Sequence, residues 1–260
     1  MISASTSDRL ASEILLTGAL ELRNVPRCVT NEGVPHLPIE KQPFLYASGN
    51  WGPGYVSVKG QVGRQTLMVM LCSYLAFEIA EKWPVRGQID FVAGNVTGGV
   101  VPGWVVSQKL SELLGRTIPF VYIRELRKTG GQKELITGIQ KNPEIARGDS
   151  ALDMEELVNF AETIRNGVTC LREAGYKANR GACILYYANP VADNRLAEAG
   201  IEMVYLLRLS QLIEVAERIG DVGVGVDRMA ALADYRQFLE NPLQWQANRG
   251  LTHVEKGGTK

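Results

Sequence analysis

The stretch 89–102, IDFVAGNVTGGVVP, decides the expected fold of this chain. A short apolar run carrying one acid, Asp90, leads into a glycine-rich turn, and a new apolar stretch with a helical pattern follows. Glycine can take positive φ angles and lets a ligand approach the backbone, and a strand that ends at such a turn before a helix presents N–H groups to an anion. The stretch therefore predicts a strand, an anion-binding turn and a helix, although the same pattern also occurs as a plain connection in α/β proteins.

Composition indicates an ordinary globular protein. Of the 260 residues, 45% are hydrophobic and 22% are charged, which is enough apolar material for a sizeable core. The 28 basic and 28 acidic residues balance, whereas broad nucleic-acid binding needs a basic excess. The N-terminus lacks a signal-peptide pattern, and the longest apolar stretch is too short to span a bilayer. We therefore expect a cytoplasmic protein that binds neither nucleic acid nor membranes.

The spacing of the four cysteines and two histidines does not indicate a metal site. The cysteines follow no CxxC pattern, and no set of His, Cys and carboxylate residues has the spacing of zinc ligands. We expect buried, reduced thiols and no metal ligands in the chain.

Strand and helix patterns alternate along the chain, which predicts a parallel sheet with right-handed crossovers. The expected strands are 89–93, 119–123, 181–187 and 204–207. The expected helices are 65–82, 103–114, 152–174 and 210–219. A hairpin is expected at 44–59. We predict an α/β domain over 1–215, with a parallel sheet of four or five strands flanked by helices and an N-terminal hairpin lobe, followed by a C-terminal helical extension and a disordered tail over 216–260.

Four segments, in this order, resemble the type I phosphoribosyltransferases and especially their orotate phosphoribosyltransferase branch. They are LASEILLTGAL at 10–20, FLYASGNWGPGYVSVKG at 44–60, IDFVAGNVTGGVVP at 89–102 and FVYIRELRKTGGQKELITG at 120–138. The resemblance implies the fold of that family.

The resemblance also implies roles for particular residues. The turn after the first strand would face diphosphate, with the substrate-binding residues Asn95, Thr97, Gly98 and Gly99. Tyr55 in the hairpin would stack on the base, and Lys59 at the end of the hairpin would meet a base or a phosphate. Arg124 and Lys128 would act as catalytic cations in a mobile loop, 124–138, that closes over the diphosphate. Glu125 and Gly130 stand where the family usually has Lys and His.

A fifth motif, LDMEELVNFAET at 152–163, departs further from the family pattern. Glu155 and Glu156 match its catalytic acidic pair, which would hold the ribose hydroxyls, and Asn159 and Thr163 would donate to the 5-phosphate. The family has glycine in this phosphate loop, whereas this chain has Ala161 followed by Glu162. Because alanine resists positive φ and a carboxylate repels phosphate, we expect weak or absent binding of phosphoribosyl diphosphate. An ordinary helix beginning near Asp149 or Ser150 is the alternative interpretation.

Two functions remain open from the sequence. The first is a homodimeric phosphoribosyltransferase that joins a pyrimidine-like base to ribose 5-phosphate and releases diphosphate, with Mg²⁺ bridging diphosphate and ribose oxygens. The second is a degenerate family member that binds a nucleotide, nucleoside or base as a sensor or partner subunit.

Overall fold

The computed structural model of the protein describes residues 2–84, 87–124, 135–219 and 227–255. Its α-helices are α1 (Ala4–Leu16), α2 (Gln65–Lys82), α3 (Val100–Leu114), α4 (Glu162–Glu173), α5 (Pro190–Glu198), α6 (Leu209–Ile219), α7 (Arg228–Glu240) and α8 (Pro242–Ala247). Its strands are β1 (Leu20–Leu22), β2 (Phe44–Leu45), β3 (Trp51–Gly52), β4 (Gly54–Val56), β5 (Phe91–Asn95), β6 (Phe120–Ile123), β7 (Ile136–Thr137), β8 (Ser150–Val158), β9 (Lys177–Tyr186) and β10 (Glu202–Arg208).

The central sheet has the strand order β10-β9-β8-β5-β6-β7 and confirms the predicted α/β class. It contains six strands, whereas four or five were expected, because β7 and β8 were not predicted as strands. All neighbouring strands in it run parallel except β7, which pairs antiparallel with β6 at the edge. Every residue of β5 is buried, as expected for a strand covered on both faces. Helices α2 and α3 pack on the sheet from one side, and α4 packs from the other.

The prediction of a helix at 152–174 is wrong for the first half of this range. This region forms β8 as far as Val158, and α4 begins only at Glu162. The apolar residues of 152–158 fit either period over so short a run, and pairing with β5 on one side and β9 on the other selects the strand. The alternative of one helix beginning at Asp149 or Ser150 is therefore excluded.

The predicted hairpin is present, and two small pairings build the N-terminal lobe. Strand β2 pairs with β3, and β4 pairs with β1, each antiparallel. The C-terminal helices α7 and α8 pack against this lobe, with α7 next to β1 and α8 next to β3. The predicted boundary between residues 215 and 216 falls inside α6, and the division into two units stays a prediction.

The expectation of a disordered C-terminal tail is wrong for residues 251–255. Leu251 is buried, and the N–H of Val254 donates to the Gly49 carbonyl at 2.9 Å. The indole Nε1 of Trp51 donates to the Thr252 carbonyl at 2.9 Å. The tail is therefore ordered by hydrogen bonds to the turn between β2 and β3.

All four cysteines are free, but only Cys72 and Cys183 are buried, whereas Cys28 is exposed and Cys170 is half-buried. The prediction of buried thiols is thus wrong for two of them. Among the residues that the structure describes, no helix is both long and apolar enough to cross a membrane.

Candidate functional site

The candidate site lies where the direction of the chain through the sheet reverses. From β5 the chain continues to β6 on one side, whereas from β8 it continues to β9 and β10 on the other. The loops that leave the carboxyl ends of β5 and β8 therefore diverge and open a crevice, the usual position of ligands in such sheets.

A cavity of about 690 Å³ occupies this crevice. The two diverging loops line it together with the hairpin lobe and the first turns of α4. Its lining includes Tyr46, Ser48, Tyr55, Lys59, Asn95, Arg124, Glu155, Glu156, Asn159, Phe160, Ala161, Glu162, Thr163, Asn166, Glu173 and Tyr187.

The glycines in and after β5 are needed because neighbouring atoms pack closely against them, and not because the backbone takes a positive φ. None of Gly94, Gly98 and Gly99 has a positive φ. A Cβ atom on Gly99 would lie 2.1 Å from the Met154 carbonyl oxygen, and one on Gly98 would lie 1.8 Å from Oε2 of Glu156. The predicted use of positive φ is wrong here, because the glycines instead let β8 and its acid approach this loop. The peptide bond between Val96 and Thr97 is cis.

The two acids at the end of β8, Glu155 and Glu156, differ in burial. Glu155 is 6% exposed, and burial, followed by the charge of Glu156, raises its pKa well above the usual range. Glu156 is half-buried, and its carboxylate lies over Gly98. Burial and the charge of Glu156 also raise the pKa of the Tyr55 phenol. Glu156 is therefore the member of the pair whose carboxylate lies between the loop after β5 and the hairpin lobe.

Asn95 and Asp153 form a buried pair beneath the cavity. Asn95 Nδ2 donates to Asp153 Oδ1 at 2.9 Å, while Asp153 Oδ2 is buried without a hydrogen-bond partner. A Cβ atom on Gly167 of α4 would lie 2.4 Å from that oxygen, so only a glycine fits there. Burial raises the pKa of Asp153 well above its usual range. The side chain of Asn95 therefore binds Asp153, below the predicted diphosphate loop.

The loop between β8 and α4 has the form of an anion site despite its lack of glycine. Ala161 takes a left-handed conformation, with φ 59° and ψ 19°, and stands at the N-cap of α4 without any side-chain cap. The N–H groups of the first turn therefore have no acceptor within the helix. The amide Nδ2 of the neighbouring Asn159 is also buried without a partner. The residues that carry these donors line the same cavity as the acidic pair.

The two physical reasons for expecting weak phosphate binding do not hold in the structure. Ala161 does adopt the positive φ that it was expected to resist. Glu162 is not an isolated charge, because its Oε1 accepts a hydrogen bond of 2.9 Å from Arg195 Nη1. The binding itself remains untested.

The remaining predicted residues lie at different depths. Tyr55 is half-buried and packs on Phe44, whereas Lys59 is exposed at the cavity rim. Arg124 is half-buried and donates to Thr137 Oγ1 at 2.9 Å. Thr97 is exposed on the loop after β5. Lys128, with the rest of 125–134, lies outside the described residues.

Sequence reasoning missed several residues at the site. No role is predicted above for Asp153 beneath the cavity, nor for Tyr46 and Tyr187 in the cavity wall. Arg195 and Asn189 come from α5 and its N-cap, about 30 residues beyond the loop that they contact. The Asn-Pro pair at 189–190 does predict a helix start, but not that contact.

Comparison with known proteins identifies relatives, although no family model matches the chain. The orotate phosphoribosyltransferase of Streptococcus thermophilus is 25% identical over 206 residues, which cover 79% of this chain and 90% of that protein. The crystal structure of orotate phosphoribosyltransferase from Aeropyrum pernix superposes with a TM-score of 0.57 at 20% identity, covering 82% of this chain and 99% of that one. Leishmania donovani UMP synthase gives a TM-score of 0.59 at 19% identity, covering 90% of this chain but 42% of that longer protein. The structural likenesses show a shared fold.

Proposed function

We propose that this chain, an orotate phosphoribosyltransferase-like member of the type I phosphoribosyltransferase family, transfers ribose 5-phosphate from phosphoribosyl diphosphate to a pyrimidine-like base. One observation carries the proposal. The uncapped N-terminus of α4, with its buried donor Asn159 Nδ2, opens into the same cavity as Glu156. An anion-binding helix end beside a carboxylate is the arrangement that a phosphorylated ribose requires, because its phosphate accepts hydrogen bonds and its hydroxyls donate them.

The proposed binding mode assigns each part of the substrate to a wall of the cavity. The 5-phosphate would accept from the first turn of α4, from Asn159 and from Thr163. Glu156, supported by Glu155, would accept from the ribose hydroxyls. The loop 95–99, including Thr97, Gly98 and Gly99, would hold the diphosphate. Its first residue, Asn95, would fix the loop to β8 through Asp153.

The base would lie against the hairpin lobe. Tyr55 offers an aromatic face and Lys59 a cation to an acidic pyrimidine, and both line the cavity. In the reaction, the bond from ribose C1 to the diphosphate oxygen breaks, and a ring nitrogen of the base forms the new bond to C1 and gives up its proton to the diphosphate or to solvent. Negative charge grows on the leaving diphosphate, and Arg124 and Lys128 would stabilise it.

The donor set fits a Mg²⁺ ion held mainly by substrate. Among the described residues, no group of three or more His, Cys, Asp or Glu side chains could hold a metal ion alone. Mg²⁺ is commonly bound by one or two carboxylates together with substrate phosphates, and Glu156 is a half-buried carboxylate in the cavity, next to the proposed diphosphate loop. When bound, the ion would supply positive charge to the diphosphate.

We further propose a homodimer, in which the segment 125–134 of one subunit covers the site of the other. The expected mobile loop 124–138 is wrong at its end, because Ile136 and Thr137 form β7 and pair with β6. Large apolar side chains exposed on α2 and α3 support a contact surface there, namely Val69, Phe77 and Trp104. Sedimentation would show a mass of about twice 28.6 kDa.

A second candidate is a nucleoside or base sensor. Glu162 and Glu173 both line the cavity, and their negative charge is unusual beside a phosphate site. Calorimetric titration with Mg²⁺ present discriminates the two functions. The transferase requires binding of phosphoribosyl diphosphate and formation of nucleotide and diphosphate with orotate. Binding of nucleosides alone, with no turnover, would support the sensor.

A further inference from the structure

The turn between β8 and α4 is held from outside by two side chains of α5. Asn189, the N-cap residue of α5, donates from Nδ2 to the Asn159 carbonyl at 2.7 Å and to Asn159 Oδ1 at 3.2 Å. Arg195, one and a half turns further along α5, donates from Nη1 to the Phe160 carbonyl at 2.9 Å. Two consecutive carbonyls of the turn are therefore fixed by the same helix.

These contacts constrain the residue that follows. Ala161 is 3% exposed and sits at φ 59°, a conformation that alanine rarely takes and glycine takes freely. Because the two preceding carbonyls are tied to α5, the chain must turn sharply at Ala161 to enter α4. The α5 contacts thus impose on an alanine a turn that a glycine would permit.

The same guanidinium group also compensates the only acid in this turn. Arg195 Nη1 lies 2.9 Å from Glu162 Oε1 as well as from the Phe160 carbonyl. Both side chains are partly buried, with 29% of Arg195 and 37% of Glu162 exposed. A nearby opposite charge reduces the repulsion that a carboxylate in the first turn of α4 would exert on an incoming anion.

We propose that Arg195 is a positioning residue for phosphate binding at the N-terminus of α4. It holds the backbone of the turn through the Phe160 carbonyl and neutralises Glu162, so that this glycine-free loop accepts a phosphate group. The inference rests on the proposed function, which places the 5-phosphate of phosphoribosyl diphosphate at this helix end. It adds a residue of α5 that touches the loop and not the substrate.

The two roles of Arg195 can be separated with three variants. Arg195→Met removes both the hydrogen bond and the charge compensation. Arg195→Met combined with Glu162→Gln removes the bond but leaves no uncompensated carboxylate. Glu162→Gln alone keeps the bond to the Phe160 carbonyl, and it serves if the other variants fold poorly. Arg236→Met, which breaks a comparable ion pair with Glu217 at 2.6 Å, is the matched control away from the cavity.

Calorimetric titration with phosphoribosyl diphosphate and Mg²⁺ gives the first readout. We expect Arg195→Met to raise the Kd roughly tenfold, because a carboxylate near the phosphate loses its counter-ion. The double variant should recover part of that loss, while Glu162→Gln and Arg236→Met should bind at least as well as the unmodified protein. The proposal would be overturned by an unchanged Kd in Arg195→Met, or by a raised Kd in Glu162→Gln.

Hydrogen exchange without ligand gives a second readout that does not depend on the proposed function. We expect Arg195→Met and the double variant to speed amide exchange across 159–165, and Arg236→Met to leave it unchanged. If the unmodified protein does not bind phosphoribosyl diphosphate, the proposed function fails, and hydrogen exchange alone tests whether Arg195 restrains the turn. Equal exchange rates in Arg195→Met and the unmodified protein would then refute this restraint.

Discussion

Asn95 at the end of β5 donates a 2.9 Å hydrogen bond to Asp153 in the middle of β8, and both side chains are buried. The pair joins the two strands whose following loops diverge to form the cavity. Burial dominates the environment of the Asp153 carboxyl group, raises its pKa and favours the uncharged acid.

This burial predicts a pH dependence of stability. The pKa of Asp153 lies well above 3.8 in the folded protein, so the folded state binds more protons than the unfolded chain between pH 3.8 and that raised value. The free energy of unfolding should therefore fall as pH rises through this window. Asp153→Asn removes the titration while keeping an acceptor for Asn95, and should flatten the fall.

Urea unfolding at several pH values between 4 and 8 would measure this effect. Glu155, whose pKa is also raised, contributes a fall of the same sign in both proteins. Glu32→Gln, at an exposed position, is the control. A pH dependence as steep in Asp153→Asn as in the unmodified protein would contradict the prediction.

Gly98→Ala should impair function far more than stability. The new Cβ atom would collide with the carboxylate of Glu156, which is the far end of a flexible side chain and can move aside at small cost. The displaced carboxylate would no longer accept from the ribose hydroxyls, so we expect kcat/KM to fall by about tenfold or more, the loss of one charge-assisted hydrogen bond. Gly63→Ala, at an exposed glycine with open space around it, should change neither activity nor Tm. Equal activities of the two variants would argue against a role for Glu156.

Ala161→Gly should stabilise the fold. Relief of the left-handed alanine is worth about 1 kcal/mol, partly offset by the greater freedom of glycine in the unfolded chain. Ala199→Gly is a control of opposite sign, because Ala199 has φ −81° and gains nothing from glycine. Chemical denaturation compares the two variants, and destabilisation by both would show that the turn at Ala161 is not strained.

Shortening the chain to end at Gly250 should destabilise it by about 2–4 kcal/mol, from lost burial of Leu251 and lost hydrogen bonds. The bonds from Trp51 to Thr252 and from Val254 to Gly49 hold the turn that places Ser48 in the cavity wall. The KM for the base should therefore rise as well. A chain ending at Glu255 is the reference, and equal Tm values for the two chains would exclude a structural role of the tail.

Lys128→Ala should lower kcat by about 10²–10³-fold if this residue stabilises the leaving diphosphate. The Tm of this variant should stay within about 1–2 °C of that of the unmodified protein, because a side chain that acts only on the leaving diphosphate adds little to folding stability. Lys177→Ala is the control, because Lys177 is exposed at the start of β9, the end of the sheet opposite the cavity. A decrease in Tm that parallels the loss of activity, or no loss of activity, would count against a catalytic role.

The order of segments in the sequence was enough to predict the α/β class and four of the six strands of the central sheet, but not β8 at its centre. Strands 89–93, 119–123, 181–187 and 204–207 all have counterparts in the structure, because continuous apolar runs between turn residues are a local signal. The glycine-rich stretch and the Glu155-Glu156 pair were likewise visible as local motifs. Their mutual approach follows from the parallel topology, which puts the carboxyl ends of β5 and β8 side by side.

The residues that interact across the site could be identified only from the three-dimensional packing of the chain. The local pattern of 152–158 suits a helix as well as a strand, and pairing with β5 and β9 determined that it is β8. Ala161 looked unfit for a phosphate loop, yet contacts from Asn189 and Arg195 hold its turn. Those partners lie some 30 residues away in the sequence, and their side chains reach the loop only because α5 packs beside it. Backbone preference and hydrophobic period are properties of neighbouring residues, whereas charge compensation and steric fit depend on where the crossovers bring distant residues together.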